Sequence, residues 1–204
     1  MLSCLALAAL PALADDRLVD LPAVLYTTFQ KPAPPTVRHA LQDEVESLMG
    51  PIGRHFVWRS ISGVQGNEVS SELAVLTFKG NCTVGNLAPK EVNPGALGWT
   101  HVSDGAILPF SDIDCDRIRG FVQKELLYRK VADREEIFGR AVARVVVHEL
   151  YHIFANTPHH GSDGVAKAAY TVQELLADEF QFEEAQCKAL RASTPPTGRH
   201  ALTP

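Results

Sequence analysis

Arg134-Glu-Glu-Ile-Phe-Gly-Arg-Ala-Val-Ala-Arg-Val-Val-Val-His148-Glu149-Leu150-Tyr151-His152-Ile153-Phe154-Ala155 is the stretch around which the rest of the chain is organised. It holds no Pro and only one Gly, Gly139. Ile137, Val142, Val145, Val146, Ile153 and Phe154 give it apolar cover too broad for a surface helix, so a buried central helix is expected. Asp133 followed by Glu136 has the spacing of a capping box and predicts the start at Arg134. His148 and His152, four residues apart, fall on one face about a turn from each other, and both imidazoles can reach a single metal ion. Glu149 beside them can reach a water on that ion without occupying the metal, which suits a general base in hydrolysis. Two histidines and a glutamate are costly to bury unless they are paired or bound to metal. The competing reading is a pair of hydrogen-bonded core histidines.

Working outward, Pro22 to Gln30 is β-branched and aromatic enough for a strand, and Lys31-Pro-Ala-Pro-Pro breaks it. Thr36 to Met49 then has helical spacing through Val37, Leu41, Val45 and Leu48, and stops at Gly50-Pro51. His55 to Ile61 and Glu72 to Lys79 read as two strands joined through a Gly-rich turn at Gly63 to Asn67. A further pair, Gly98 to Val102 and Ala106 to Ser111, is joined at Ser103-Asp104-Gly105. Helical signals return at Asp116 to Tyr128, in the His-Glu stretch, and over Val172 to Leu190. Strands first and helices last, with one early helix inserted, predict an α+β domain.

The His148 to His152 string, on a long apolar helix preceded by strands and followed by further metal-ligand residue types, resembles the zincin metallopeptidases. The likeness is specific over about ten residues and architectural over the rest. It implies a twisted, mostly antiparallel sheet packed on a central active-site helix with a helical C-terminal part. It also implies one Zn²⁺ per chain, with His148 and His152 as ligands and Glu149 polarising the attacking water. The chain departs from the metzincin branch: Pro158 stands where the third histidine of that longer motif belongs, Ala155 replaces its Gly, and no methionine follows, since Met1 and Met49 are the only ones. The run from His148 to Ala166, with Gly161, Gly164 and Val165, is similar to small bacterial zincin-like proteins with a histidine near this point.

A catalytic zinc takes three protein ligands and keeps one open position, so a third ligand is expected downstream. His160, His159 and Glu174 compete. His160 stands first, because imidazole is a favoured zinc ligand and a histidine pair just past a helix end is unusual. Glu174, in Glu174-Leu-Leu-Ala-Asp178, resembles the Glu-x-x-x-Asp helix of the thermolysin-like branch, where the Glu binds zinc and the Asp orients a histidine. The same spacing describes an ordinary solvated helix face. Tyr170, His159 and Tyr151 are candidate donors to an oxyanion.

Residues 2 to 14 form an apolar run closing on Ala12-Leu13-Ala14 and followed by Asp15-Asp16, which reads as a signal peptide over residues 1–14 and predicts a secreted or periplasmic protein. The run is too short to span a bilayer. Removing it leaves Cys82, Cys115 and Cys187, and a Cys82–Cys115 bridge with Cys187 free is expected. At 46% hydrophobic residues, positions 15–192 are enough for one domain with a substantial core, followed by a mobile tail over 193–204. A net charge of −5 with scattered basic residues leaves no footprint for nucleic acid. The expected partner is a peptide or protein substrate met by a monomer, with the hairpin from Gly98 to Ser111 as the edge that pairs with an extended peptide. The alternative function is a catalytically inactive zincin-like domain that binds a peptide or protein in the same cleft.

Overall fold

The structure is a computed structural model that describes residues 22–85, 87 and 95–193. The expected signal peptide, and all of the expected tail beyond Ser193, lie outside those residues. The chain runs β1 (Ala23–Phe29), α1 (Pro35–Met49), β2 (Phe56–Ser60), β3 (Glu72–Lys79), β4 (Gly98–Ser103), β5 (Ala106–Asp114), α2 (Cys115–Leu127), α3 (Arg134–Phe154), α4 (Val172–Leu175) and α5 (Glu184–Ala192). The five strands form one sheet in the order β2-β1-β3-β5-β4.

The sheet corrects the expectation of a mostly antiparallel one. β1 pairs parallel with both β2 and β3, and β3 pairs parallel with β5; only the β4–β5 hairpin is antiparallel. Residues 61–71 do not join β2 and β3 as a hairpin either, because the two strands flank β1 instead of pairing. The physical reason lies in β1 and α1. Val24, Leu25 and Tyr26 are buried in succession, as in a strand covered on both faces, and α1 supplies the long crossover that a parallel neighbour needs. The β4–β5 turn is as expected: Asp104 and Gly105 both have positive φ, 50° and 78°, matching the twist of a tight hairpin.

Leu25, Ala74, Leu76, Phe78 and Ile113 share one face of the sheet and are fully buried. α1 buries Val37, Ala40, Leu41, Val45 and Met49, the stripe expected of a helix lying on a core, and packs along α3. Gly139 is what brings these two helices together. A Cβ at that position would stand 2.6 Å from the Val37 carbonyl oxygen and 2.8 Å from Ala40 Cβ.

α3 is buried almost all round from Phe138 to His152, as its sequence predicted. Its capping box does not form. A 3₁₀ turn over Val131–Asp133 runs directly into the helix, so Asp133 has near-helical angles (φ −90°, ψ −12°) and its side chain caps nothing. Arg144, 1% exposed, is held by Glu44 of α1 at 2.7 Å and the Leu175 carbonyl at 3.0 Å, and its guanidinium lies over the Phe180 ring.

That capture also explains why Val172 to Leu190 is not one helix. Leu175 is fully buried and its carbonyl is taken by Arg144, the chain leaves the helix at Leu176, and Gln181 passes close enough to accept from Val165 N. A new capping box, Glu183 with Gln186, then starts α5. Cys82, just past β3, and Cys115, opening α2, form the expected disulfide, and Cys187 is free. Among the described residues no helix is long and apolar enough to cross a membrane.

Candidate metal centre

His148, Glu149 and His152 sit in the last two turns of α3 at 8%, 4% and 7% exposure. His148 Nδ1 donates to the Val165 carbonyl at 2.8 Å and also lies 3.0 Å from the Tyr170 hydroxyl, which in turn donates to Val165 O. His152 Nδ1 donates to the Thr157 carbonyl at 2.7 Å. With both Nδ1 protons fixed on main-chain carbonyls, each ring presents an Nε2 lone pair, and these two atoms are 3.1 Å apart. Two lone pairs aimed at each other repel unless a cation stands between them. Tetrahedral zinc at about 2.0–2.1 Å from each nitrogen sets ligand atoms roughly 3.3 Å apart, so the pair fits that ion.

Local chain geometry supplies these second partners. α3 ends in a Schellman arrangement: Asn156 takes a positive φ of 47°, Thr157 N donates to His152 O and Asn156 N to Ile153 O. This turns Thr157 O back under His152. The following loop carries Val165 O to His148, and is tied down by Gly161 N on Ala166 O and by Gln186 Nε2 on Asp163 O. An Asn directly after the last apolar residue, with Pro158 two further on, is the sequence signal for the turn.

His160 comes back over the pair. Its ring stacks on His148 at 5.2 Å between centroids and meets His152 edge-on at 4.8 Å, and one ligand atom from each of the three lies within 4.8 Å of the others. Glu174 lies apart from this cluster. Its carboxylate caps α4 through Thr171 N and pairs with Lys167 Nζ, and these contacts hold its pKa down at about 2. Asp178, outside any helix, shares no helical face with it. His159 is exposed and outside the cluster, Tyr151 packs against His152 and Phe182, and the Tyr170 hydroxyl is occupied behind His148.

Burial sets the electrostatics. Desolvation, opposed by the Val165 hydrogen bond and reinforced by the neighbouring histidines, lowers His148 to about 4, and desolvation lowers His152 as well, so both rings are neutral and able to ligate. Desolvation raises Glu149 to about 7 despite a hydrogen bond from Thr100 Oγ1 to its Oε2 at 2.7 Å; Thr100 in turn lies 2.8 Å from Ser111 Oγ. Burial also raises Tyr170.

Thr100 and Gly98, both on edge strand β4, are site residues that the sequence reading missed. β4 lies so close to α3 that a Cβ at Gly98 would stand 2.9 Å from Val145 Cγ1 and 3.1 Å from Glu149 Oε1. A Gly opening a strand was the available signal, since it marks a close approach of another group. Between β4 and the end of α3 is an open cleft of about 790 Å³ whose floor includes His148, Glu149, His152 and His160. Leu97, Ile107, Phe121 and Val145 make its walls largely apolar.

No family model and no curated protein matches the chain. Among solved structures it is similar to archaemetzincin from Methanopyrus kandleri, with a TM-score of 0.50 over 86% of this chain and 96% of that one, at 11% identity. The fold is zincin-like. At that identity the likeness carries the fold alone, and the chemistry of the site rests on the residues just described.

Proposed function

We propose that the chain is an exported zinc-dependent peptidase, with His148, His152 and His160 as ligands and Glu149 as general base. The observation that carries this reading is the pair of Nε2 atoms 3.1 Å apart with both Nδ1 protons committed elsewhere, beside a buried carboxyl group at an open cleft. A zinc ion held there would supply a Lewis acid that polarises a scissile carbonyl and acidifies a water. An extended peptide lies along the edge of β4, which orients its carbonyl over the histidines. Thr100 fixes Glu149 Oε2, leaving Oε1 to take a proton from the attacking water and pass it to the leaving amine. Leu97, Phe121 and Val145 give the cleft apolar walls, and the Glu149 side chain at its floor is buried. Export is supported by the apolar leader ending at Ala14 and by the Cys82–Cys115 bridge, which persists in an oxidising compartment.

Metal analysis of the purified protein and two variants tests the ligands: His160→Ala loses zinc and Glu174→Ala keeps it. Glu149→Gln then tests the chemistry, keeping zinc and losing about 10²–10⁴ of turnover on an unfolded protein substrate. Turnover that survives Glu149→Gln with zinc bound overturns the general-base role. Zinc-loaded wild-type protein that binds such substrates without cutting them makes the domain a recognition module instead.

A further inference from the structure

Behind Glu149 stand two hydroxyl groups, and the outer one belongs to a strand that does not touch the candidate metal centre. β4 and β5 keep a regular register from Gly98↔Ile113 through Trp99↔Asp112 to Thr100↔Ser111, and the ladder shifts only beyond Thr100. Thr100 and Ser111 are therefore directly opposite each other, on the side of the sheet that also carries the buried Ile113, where cross-strand Cβ atoms stand about 4.5–5.5 Å apart. Ser111 is 1% exposed, and its Oγ lies 2.8 Å from Thr100 Oγ1. Thr100 Oγ1 lies 2.7 Å from Glu149 Oε2 and 3.3 Å from the Glu149 carbonyl oxygen. Among the described residues these are all the partners that either hydroxyl has.

Counting protons gives the chain a direction. Each hydroxyl carries one proton, and a carboxylate only accepts. Thr100 therefore donates to Glu149, and Ser111 has one acceptor left, Thr100 Oγ1. In the opposite sense Ser111 would donate to nothing and Oε2 would accept nothing, leaving two buried polar groups unsatisfied. The chain also selects a rotamer. Strands allow threonine more than one χ1 well, and a turn of 120° would carry Oγ1 away from Ser111 Oγ and Glu149 Oε2 together. Oε1, the other oxygen of Glu149, faces Gly98, where a Cβ would stand 3.1 Å away. One strand thus gives a donor to the first oxygen and room to the second, and Ser111 holds the donor in place.

We propose that Ser111 is a positioning residue for Glu149: acting through Thr100, it keeps Oε2 bound and Oε1 free for the attacking water. Its effect on turnover rests on the peptidase reading, while the contact beneath it does not, and the two are read separately. In the full ¹³C,¹⁵N-labelled protein, three-bond couplings to Thr100 Cγ2 are expected to report one χ1 rotamer in the wild type and an average over rotamers in Ser111→Ala. In the zinc-loaded protein, with zinc content and circular dichroism unchanged, Ser111→Ala is expected to lower kcat on an unfolded protein substrate about 3–10-fold with KM within about twofold. Thr100→Val lowers kcat about 10–100-fold, and Thr100→Ser, which keeps the hydroxyl, restores most of it. Adding Ser111→Ala to Thr100→Val lowers kcat no further, because the hydroxyl through which Ser111 acts is already gone. Losses that multiply in the double variant, an unchanged kcat in Ser111→Ala, or a single Thr100 rotamer in both proteins each overturns the proposal. A wild type that cuts no substrate overturns the peptidase reading and this role in turnover with it, and the couplings then decide the contact alone.

Discussion

Replacing Gly98 by Ala probes the contact that brings the sheet edge onto the candidate site. The added Cβ would stand 2.9 Å from Val145 Cγ1, 3.1 Å from Glu149 Oε1 and 3.2 Å from Glu149 Cγ. Two effects oppose each other. Alanine loses less backbone entropy than glycine in a strand, a gain of about 0.5–1 kcal/mol. Forcing a methyl group against a packed core costs about 1–3 kcal/mol. Val145 is 3% exposed on a helix buried nearly all round, so it cannot swing aside, and the packing cost wins by roughly 1–2 kcal/mol. For a domain of this size that lowers Tm by about 2–8 °C. Thermal unfolding of the chelator-treated protein reads the effect without a contribution from bound metal. The decisive measurement is the cycle with Val145→Ala, which costs about 2 kcal/mol by itself through the cavity it leaves. If the two side chains meet, the double variant recovers about 0.5–3 kcal/mol relative to the sum of the singles. Additivity within about 0.5 kcal/mol, or an unchanged Tm in Gly98→Ala, would refute the close packing of β4 on α3.

Replacing both Cys82 and Cys115 by Ser removes a cross-link between residues 33 apart and is expected to cost about 3–4 kcal/mol, read as a lower urea midpoint than that of the oxidised wild type. Arg144→Met leaves the Leu175 carbonyl and Glu44 Oε1 without their partner while Glu44 Oε2 keeps Arg140 at 3.2 Å, so the loss is at most about 3–5 kcal/mol; adding Glu44→Gln should return part of it, and a double variant no more stable than the single refutes the pairing. Glu174 is held well below its ordinary value, first by Lys167, so its contacts contribute stability that is complete above about pH 4.5 and lost as the pH falls toward about 2. Carboxyl ¹³C NMR titration reads this midpoint, and Lys167→Met should move it upward.

Much of the candidate site was legible because its parts are local. Histidines at i and i+4 share a helix face whatever surrounds the helix, and the broad apolar cover of 134–155 required burial. The same holds for the tight turn at Asp104-Gly105, where two positive-φ positions specify a hairpin without reference to the rest of the chain. The partners of His148 and His152 were not legible, because Val165 and Thr157 contribute carbonyl oxygens, which carry no residue-type signal. Thr100 and Gly98 act on Glu149 across 49 and 51 positions of sequence, too far for any periodicity to report.

By itself the sequence determined where most of the helices and strands lie, where a histidine pair with the spacing of metal ligands sits, and which cysteines meet. Tertiary structure alone decided that β1 lies between β2 and β3, so that the sheet is mostly parallel, that the chain breaks between α4 and α5, and that His160 stands beside the histidine pair while Glu174 caps a helix elsewhere. Local backbone preference and side-chain period fix an element within a few residues. Which elements become neighbours depends on how crossovers close over a shared core and on single long-range contacts such as Arg144 with Leu175, whose energies exist only once the chain is folded.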